Sequence, residues 1–296
     1  MQTEPEVSII IINYNTFDLT VSCIQSVIEH TTSVSFEIIL VDNHSTDQDA
    51  GEIEAIFPGV RLLRNETNTG FARAANQGIA VSRGKFILLL NSDTELKENS
   101  VLICLATLKE QKDTAVISCN LLYPDGRIQL QCQRFPTFWP SFLEATRLFK
   151  LLPVRLRESI LQGFHFSHNR SFCPDWVWGT FFFFRREALR DLPAEKLSER
   201  FFMYCEDMEW CYLFREAGWN VCFTPATRII HHVGGSGSDG RIQKSRKIIA
   251  NEKIFIQTYF GKMHWMLVRL TRMLNYSFTK RQNPLHHELF RIYKET

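Results

Sequence analysis

The sequence contains no apolar run long enough to span a membrane. Its longest apolar runs, such as residues 86–90 and 181–184, fall far short of the roughly 18 residues that a spanning helix needs. We also expect no signal peptide, because residues 1–6 are largely polar and acidic. These two absences favour a cytoplasmic protein.

The eight cysteines include no Cys-x-x-Cys pair, the spacing that is typical of zinc and redox sites. Most of them stand inside apolar patterns, as Cys104 does between Ile103 and Leu105. We interpret them as buried, reduced thiols of a cytosolic protein, and we expect no zinc site.

A large excess of one charge is absent as well. The chain has 34 Lys and Arg residues against 32 Asp and Glu, a net charge of +2, which argues against a dedicated nucleic-acid binder. The charges are unevenly distributed, because residues 241–296 hold twelve Lys and Arg against three Glu, a net of +9. Residues 1–240 therefore carry a net of −7. Such asymmetry is typical of a basic tail that meets an anionic surface.

Strand and helix patterns alternate over the first 112 residues. Continuous apolar, β-branched runs predict buried strands at residues 7–12, 36–41, 60–64 and 85–90. The spacing of apolar residues predicts helices over residues 16–29, 47–57, 70–82 and 94–112. This alternation predicts an α/β fold with a mostly parallel, doubly wound sheet flanked by helices. Ligands of such sheets bind beyond the carboxyl ends of the strands.

The second half of the chain is less regular. Its patterns predict a hairpin at residues 120–133, strands at 115–119, 176–184, 219–223 and 226–231, a helix over 206–217 that ends at Gly218, and a mainly helical tail from 241 to about 273. A segment at about 135–170 departs from these patterns, because it mixes aromatic, leucine and basic residues. We interpret that segment as an insertion that either shapes the acceptor cleft or shares a surface with the C-terminal tail, whose composition is similar.

All four early strands end in short polar side chains. These are Asn13, Tyr14 and Asn15 after the first strand, Asp42, Asn43, His44 and Ser45 after the second, residues 65–70 after the third, and Asn91, Ser92 and Asp93 after the fourth. Four such groups on one sheet edge predict a polar ligand with several points of recognition. The last group also suits Mg²⁺ or Mn²⁺, which prefer oxygen ligands. The alternative for that group is a helix N-cap.

Two neighbouring carboxylates, Glu206 and Asp207, stand at the start of a predicted helix. The helix dipole favours carboxylates there, which is the purely structural interpretation. The functional interpretation is a general base, because the two carboxylates repel each other and nearby aromatic residues such as Trp210 can desolvate them. Both effects raise the pKa of a carboxyl group towards the range in which it accepts protons at neutral pH.

Two further motifs are candidates for ligand contacts. His231 and His232 precede a glycine- and serine-rich segment, residues 235–240, which formally matches Gly-x-Gly-x-x-Gly. No second strand follows, so we expect a loop that closes over phosphates, with one histidine as a metal or phosphate contact, and not a dinucleotide site.

Trp178, Gly179 and Thr180 precede four phenylalanines, and form either the start of a core strand or a wall against an acceptor sugar.

These motifs occur in a characteristic order. Along the chain they read SIIIINYN, EIILVDNHSTD, NTGFARAANQGI, LLLNSDTE, WGTFFFFRREAL, FFMYCEDMEWCYLFREAGW and HHVGG. The order resembles the family-2 inverting glycosyltransferases with the GT-A fold. It is most similar to the branch with bacterial rhamnosyltransferases and galactofuranosyltransferases of cell-surface polysaccharides. The resemblance covers about residues 7–235.

The resemblance implies roles for individual residues. The residues implied in binding the nucleotide sugar are Tyr14, Asn15, Asp42, Asn68, Gly70, Asn76, Ser92 and Asp93. The implied catalytic base is Asp207, with Glu206 beside it. The implied ligands of Mg²⁺ or Mn²⁺ are Asp93 and His232, with His231 as the alternative. Asn91 stands where the family usually has a first aspartate, so weaker metal binding is expected.

The implied reaction moves a sugar from a dTDP- or UDP-sugar donor, with dTDP-rhamnose as the leading donor, to a glycan or lipid-linked saccharide. Residues 1–240 would form the catalytic domain, with a nucleotide-binding half at 1–120 and an acceptor half at 121–240. Residues 241–296 would form a basic helical extension. That extension either packs on the catalytic domain or lies as an interfacial helix on the inner face of the cell membrane.

Two other functions stay open at this point. A nucleotidyltransferase would place a glycine-rich loop with a basic residue after the first strand, where this chain has no glycine before Gly51. A non-catalytic scaffold is compatible with the asparagine at position 91.

Overall fold

The computed structural model describes residues 4–233, 240–279 and 283–296. One eight-stranded sheet forms the centre of the described structure. Its strands are β1 (Val7–Asn13), β2 (Phe36–Asp42), β3 (Val60–Arg64), β4 (Phe86–Asn91), β5 (Thr94–Leu96), β6 (Thr114–Leu122), β7 (Phe181–Arg185) and β8 (Asn220–His231). They lie in the order β3-β2-β1-β4-β7-β6-β8-β5. The first four in that order are parallel, and β7 is antiparallel to its neighbours β4 and β6.

The described residues also form ten α-helices. They are α1 (Phe17–His30), α2 (Gly51–Ile56), α3 (Phe71–Val81), α4 (Ser100–Glu110), α5 (Phe138–Thr146), α6 (Val154–Leu161), α7 (Glu206–Glu216), α8 (Arg241–Tyr259), α9 (Lys262–Thr279) and α10 (Pro284–Glu295). The predicted end of α7 is confirmed, because Gly218 adopts a φ of 90° just beyond it, a conformation that glycine adopts without steric cost.

The parallel strands are buried on both faces, as their continuous apolar runs predict. In β1, Ile9 and Ile11 belong to one hydrophobic cluster, and Ile10 belongs to a second. All three side chains have no exposed surface. Because successive side chains of a strand point to opposite faces, the sheet has an apolar layer on each side. This burial leaves only the strand ends for polar functional groups.

Two predicted elements differ from the structure near the end of β4. The helix expected from residue 94 begins only at Ser100, because Thr94–Leu96 instead pairs with β8. The two strands expected at 219–223 and 226–231 are one strand, β8, which pairs with β6 across a register irregularity after Cys119. Through these pairings β8 carries His231 opposite Thr94, next to the predicted metal motif.

The expectation of eight reduced thiols is wrong for one pair. Cys173 and Cys222 form a disulfide, with their Cα atoms 4.0 Å apart. Backbone hydrogen bonds between Phe172 and Phe223 place the two cysteines opposite each other, although 49 residues separate them in sequence. The other six cysteines carry thiols, and five of those are buried. Disulfides are rare in cytosolic proteins, so the cysteines no longer support the predicted cytoplasmic location.

The chain forms two compact units. The first combines Met1–Cys132 with His168–Gly237, and the second combines Gln133–Ser167 with Ser238–Thr296. The insertion inferred from the sequence thus groups with the C-terminal helices rather than with the acceptor half. The tail contains three helices, and Gly261 separates α8 from α9 with a φ of 92°. No helix in the described part of the chain is long and apolar enough to cross a membrane.

Candidate active site

The carboxyl ends of β1 and β2 are joined by a buried hydrogen-bond network. The side-chain amide of Asn13 donates to Asp42 Oδ1 at 2.9 Å and to Ser45 Oγ at 3.0 Å. The other carboxylate oxygen of Asp42 accepts from the backbone N–H of Ser45 at 3.3 Å. These bonds fix Asp42, a predicted nucleotide contact, at the edge of the sheet.

The turn after β1 is held by side chains of the turn after β2. Asn15 has a φ of 54°, and its Oδ1 accepts from the backbone N–H of Thr46 at 2.7 Å. Its own backbone N–H donates to Ser45 Oγ at 3.0 Å. Tyr14 is half-buried between Asn13 and Asn15. The structure therefore places Tyr14, Asn15 and Asp42 beside one another, as the sequence predicted.

The turn after β3 is connected to β2 through Asn43. Its Oδ1 accepts from the backbone N–H of Thr69 at 3.0 Å, and its side-chain amide donates to Asn68 Oδ1 at 2.9 Å. Gly70 follows with a φ of 84°, and a Cβ atom there would lie 2.6 Å from the carbonyl oxygen of Phe202. Only glycine fits at that position. Asn68 and Gly70 thus belong to the same edge as Asp42.

Asn76 has a different environment from the other predicted donor contacts. Its side-chain amide donates to the carbonyl oxygen of Leu197 at 2.8 Å and to Glu199 Oε1 at 2.9 Å. Its Oδ1 accepts from the backbone N–H of Leu197 at 3.2 Å. These contacts attach α3 to residues 197–199, so the structure gives Asn76 a positioning role within the fold.

The end of β4 contains the predicted metal motif. Ser92 Oγ lies 2.9 Å from Thr16 Oγ1, which connects the motif to the end of β1. Asp93 is buried, and its Oδ1 lies 3.3 Å from His231 Nε2. His232 Nε2 instead lies 3.7 Å from Glu95 Oε2. Of the two histidines, the structure therefore brings His231 to the Asp93 carboxylate.

His231 is oriented by a buried glutamine. Its Nδ1 lies 2.7 Å from Gln129 Oε1, and the amide nitrogen of Gln129 donates to the backbone carbonyl of His231 at 2.8 Å. With the proton on Nδ1, the lone pair of Nε2 points towards Asp93. A neutral histidine held in this way is the usual form of a metal ligand.

The pair Asp93 and His231 fits a divalent cation. Ligands at adjacent corners of an octahedral Mg²⁺ or Mn²⁺ shell lie about 3 Å apart, close to the 3.3 Å between the two atoms. No cluster of three or more His, Cys, Asp or Glu ligands occurs among the residues described.

The two carboxylates Glu206 and Asp207 begin α7. Asp207 Oδ2 accepts from the backbone N–H of Gly179 at 2.9 Å, and Oδ1 accepts from the backbone N–H of Met208 at 2.8 Å. Glu206 is buried, and its Oε2 has no hydrogen-bond partner among the described residues. Asp207 is half-buried and therefore more accessible than Glu206.

Burial raises the pKa of both acids, and the charge of Asp207 adds to the rise at Glu206. Burial raises the pKa of Glu206 to about 8, with the Asp207 charge as the second cause. Burial also raises the pKa of Asp207 to about 6, against the lowering effect of the N–H groups of Gly179 and Met208. The rise is larger for Glu206 than for Asp207, which favours Asp207 as the charged member of the pair. That carboxylate is the group able to accept a proton.

A prediction about stability follows for Glu206. Because its pKa is higher in the folded than in the unfolded chain, its contribution to the free energy of unfolding falls as pH rises from about 4.5 to about 8. Glu206→Gln removes this penalty. The free energy of unfolding of both proteins would be measured by urea titration at pH 5 and at pH 8. We expect the difference, variant minus unmodified protein, to be about 1–3 kcal/mol larger at pH 8 than at pH 5.

Glu209→Gln on the same helix is the matched control for that experiment. Glu209 is buried but pairs with Arg200 at 2.7 Å, so its replacement should destabilise the protein at both pH values. A constant difference between Glu206→Gln and the unmodified protein from pH 5 to pH 8 would contradict the raised pKa of Glu206.

Hydrogen bonds connect the metal motif with the carboxylate pair. The backbone N–H of Asn91 donates to the carbonyl oxygen of Thr180 at 3.0 Å, and the adjacent Gly179 holds Asp207. Thr180 is buried and Trp178 packs partly against the core. Of the three predicted acceptor residues, Gly179 thus forms a direct hydrogen bond to the predicted base, Asp207. Whether the three bind an acceptor stays a prediction.

A cavity of about 280 Å³ lies beside the turn after β3. It is lined by Thr67, Asn68, Thr69, Arg73, Glu199, Arg200, Phe201 and Phe202. Amide, hydroxyl, charged and aromatic groups thus line this space. Most of the phosphate-binding loop predicted at 235–240 lies outside the described residues, which omit 234–239.

Sequence reasoning missed two residues that position this site. Gln129 was assigned to a hairpin, and the antiparallel bridge between Leu122 and Ile128 confirms a turn there. Nothing in its spacing indicated a contact with His231, 102 residues away. Thr16 was assigned to the start of a helix, but its hydroxyl connects Asn13 with Ser92. The signal available for Thr16 was its polar side chain in the short segment between β1 and α1.

The sequence is similar to known glycosyltransferases. The profile of glycosyl transferase family 2 matches residues 8–192. Glycosyltransferase GlyG of Streptococcus pneumoniae is 36% identical over 118 residues, which is 38% of this chain and 38% of GlyG. An N-acetylglucosaminyl-diphospho-decaprenol L-rhamnosyltransferase of Mycobacterium tuberculosis is 23% identical over 220 residues, 66% of each chain. This chain spans less than half the length of several curated relatives that it matches, GlyG among them.

A solved structure of GalNAc-T7 with UDP, GalNAc and Mn²⁺ has a TM-score of 0.63 at 16% identity, covering 99% of this chain and 55% of GalNAc-T7. At that identity the likeness concerns the fold alone. The predicted fold class is confirmed: a mixed α/β fold of the GT-A type, with a central sheet flanked by helices.

Proposed function

The chain belongs to glycosyl transferase family 2, and from that premise we propose that it transfers a sugar from a nucleotide-sugar donor to a glycan acceptor with inversion at the anomeric carbon. The observation that carries the proposal is the hydrogen-bonded path from Asn91 through Thr180 and Gly179 to Asp207. This path holds a candidate base in a fixed relation to the strand end that carries Asp93.

In the proposed reaction Asp207 accepts the proton of an acceptor hydroxyl. The hydroxyl oxygen forms a bond to the anomeric carbon while the bond from that carbon to the donor diphosphate breaks. The products are the extended glycan, a nucleoside diphosphate and a protonated Asp207. Glu206 stays neutral beside it, so that the negative charge of the pair lies on the more accessible Asp207.

Asp93 and His231 would hold the divalent cation, and a bound cation supplies positive charge to the departing diphosphate. The Asp93 carboxylate suits either Mg²⁺ or Mn²⁺. The polar edge formed by Tyr14, Asn15 and Asp42 would bind the nucleotide. Hydrogen bonds of Asp42 to Asn13 and Ser45, and of Asn15 to Ser45 and Thr46, pre-arrange this edge before the donor arrives.

For the specific reaction we propose dTDP-rhamnose as the donor and a lipid-linked saccharide as the acceptor, in the synthesis of a cell-surface polysaccharide. The printed name of the M. tuberculosis relative joins a rhamnosyl transfer to a diphospho-decaprenol lipid, which supports this choice. UDP-sugars are the alternative donors, since GalNAc-T7 binds UDP.

The test is a panel of nucleotide sugars offered to the full chain with Mn²⁺ and a mixture of lipid-linked saccharides. Release of the nucleoside diphosphate and mass gain of the acceptor would be measured for each donor. We expect turnover with one donor nucleotide, with dTDP-rhamnose as the leading candidate. Exclusive use of a UDP-sugar would overturn the rhamnosyl assignment, and failure to bind any nucleoside diphosphate would favour a non-catalytic scaffold.

A prediction about metal binding follows for Gln129. Gln129→Leu removes the hydrogen bond that fixes the His231 tautomer, and loss of such a contact typically weakens metal affinity about 10- to 100-fold. We expect that weakening in a calorimetric titration with Mn²⁺ in the presence of a nucleoside diphosphate. Gln131→Leu is the matched control, because buried Gln131 bonds Ser118 and the Cys119 carbonyl instead. Equal loss of Mn²⁺ affinity in both variants would contradict the assignment.

A further inference from the structure

The second compact unit differs from the first in charge. Taken from the sequence, Gln133–Ser167 and Ser238–Thr296 hold 17 Lys and Arg against 6 Asp and Glu, a net of +11. The remainder of the chain holds 17 Lys and Arg against 26 Asp and Glu, a net of −9. The insertion thus adds to the positive charge of the tail. The net positive charge is concentrated in this unit, which is about one third of the chain.

The same unit also holds most of the exposed apolar surface. Of the 20 large hydrophobic residues that are exposed in the described structure, 14 belong to it. Phe164 is 84% exposed, Leu151 81% and Met263 76%. Exposed apolar side chains normally occur singly on a soluble surface, and their concentration marks an interaction site.

Helix α9 carries apolar residues on its outer as well as its inner face. Its inner face buries Trp265 and Val268. Over residues 262–278, whose side chains the structure describes, seven positions are exposed, and all except Lys262 are apolar. Those six are Met263, Met266, Leu267, Leu270, Leu274 and Phe278. A helix with an apolar face directed to solvent is arranged to cover another surface.

The insertion presents the same combination in a short segment. Residues 147–156 contain no acidic residue. Exposed cations at Arg147, Lys150 and Arg155 alternate with exposed Leu148, Leu151, Val154 and Leu156. None of the three cations forms an ion pair with a carboxylate of the described residues. The apolar side chains would enter the acyl boundary of a bilayer while the cations meet the headgroups.

We propose that this second unit, the insertion together with α8, α9 and α10, docks the protein on an anionic phospholipid surface. The net charge of +11 favours that occupant over a second copy of the chain, because two such units repel each other. A neutral apolar partner would not need the cations of residues 147–156. The unit lies on the bilayer rather than in it, since none of its described helices is apolar enough to cross.

The test is sedimentation of the full chain with vesicles of phosphatidylcholine alone or of phosphatidylcholine mixed with phosphatidylglycerol. We expect about tenfold or stronger binding to the anionic vesicles, and loss of most of that difference when salt is raised from about 0.1 M to about 0.5 M. No nucleotide sugar is needed, so the result is independent of the proposed transferase activity.

Two variants separate the apolar from the electrostatic contribution. Met266→Asp with Leu270→Asp removes exposed apolar side chains from α9, and Lys150→Glu with Arg155→Glu reverses charges in the insertion. Each should reduce vesicle binding at least about fivefold with an unchanged melting temperature. Leu102→Asp, at a 37% exposed position of α4 in the first unit, is the matched control and should bind as the unmodified protein does.

Three results would overturn the proposal. One is equal binding to neutral and anionic vesicles. Another is full vesicle binding by both double variants. The third is a dimer, detected by light scattering of the unmodified protein, that the α9 variant dissociates, because the apolar face would then join two copies.

Discussion

Asp207→Asn should abolish sugar transfer while the protein stays folded and continues to bind its donor nucleotide. Asparagine keeps the shape of the side chain and can still accept the N–H of Gly179, but it cannot take the proton of an acceptor hydroxyl. Loss of a general base typically lowers turnover by about 10²–10⁴-fold. Turnover would be measured as nucleoside diphosphate release, and donor binding by calorimetry.

Glu206→Gln is the matched control, because the two carboxylates are adjacent on α7. It should retain most of the turnover, since neutral Glu206 does not accept the proton. The pKa of Asp207, raised to about 6, adds a pH dependence: turnover should fall as pH drops below about 6. Full activity of Asp207→Asn, or a greater loss in Glu206→Gln, would contradict the assignment of the base.

Asp93→Asn should produce the second largest loss. The variant keeps an oxygen beside His231 but removes the negative charge that a divalent cation prefers. We expect turnover to fall about 100-fold or more, and the affinity for a nucleoside diphosphate to fall in the presence of Mn²⁺. Without metal, the affinity for the nucleoside diphosphate should change little.

Glu95→Gln is the control for that experiment. Glu95 lies two residues further along the chain, beside His232 rather than His231. The parallel pair His231→Ala and His232→Ala tests the same distinction, with the larger loss expected at His231. If Glu95→Gln and His232→Ala were the damaging variants, the metal site would lie on the other histidine.

The first half of the fold could be predicted because its signals are local. β1 to β4 are continuous apolar runs, and the polar groups follow them directly in sequence. The strand ends therefore predicted the edge that contains Asp42, Asn68 and Asp93. Sequence likewise predicted the Glu206 and Asp207 pair, because adjacent carboxylates next to aromatic residues are visible without a structure.

Non-local contacts could not be predicted. The Cys173–Cys222 disulfide depends on pairing across 49 residues, and the Gln129–His231 contact spans 102. The distinction between His231 and His232 follows from their different partners, Asp93 and Glu95, which depend on the pairing of β8 with β5. For Asn76 the polarity was visible, but its contacts with Leu197 and Glu199 were not.

The organisation of the basic tail shows the same limit. Composition alone separated a +9 tail from the rest of the chain. The insertion at 138–164 has a composition similar to that of the tail, which suggested a shared surface or a part of the acceptor cleft but did not decide between them. Their shared unit results from packing between α5 and α9. The membrane proposal depends on that packing, because it unites two sets of exposed apolar and basic residues.

The most direct test of the account is the anomeric configuration of the first product. The protein would be incubated with its acceptor and the donor that the nucleotide-sugar panel identifies. The anomeric configuration of the new glycosidic linkage would then be assigned by NMR. A single base at Asp207 and direct attack on the anomeric carbon predict a configuration opposite to that of the donor sugar. Retention of the donor configuration would contradict the central claim.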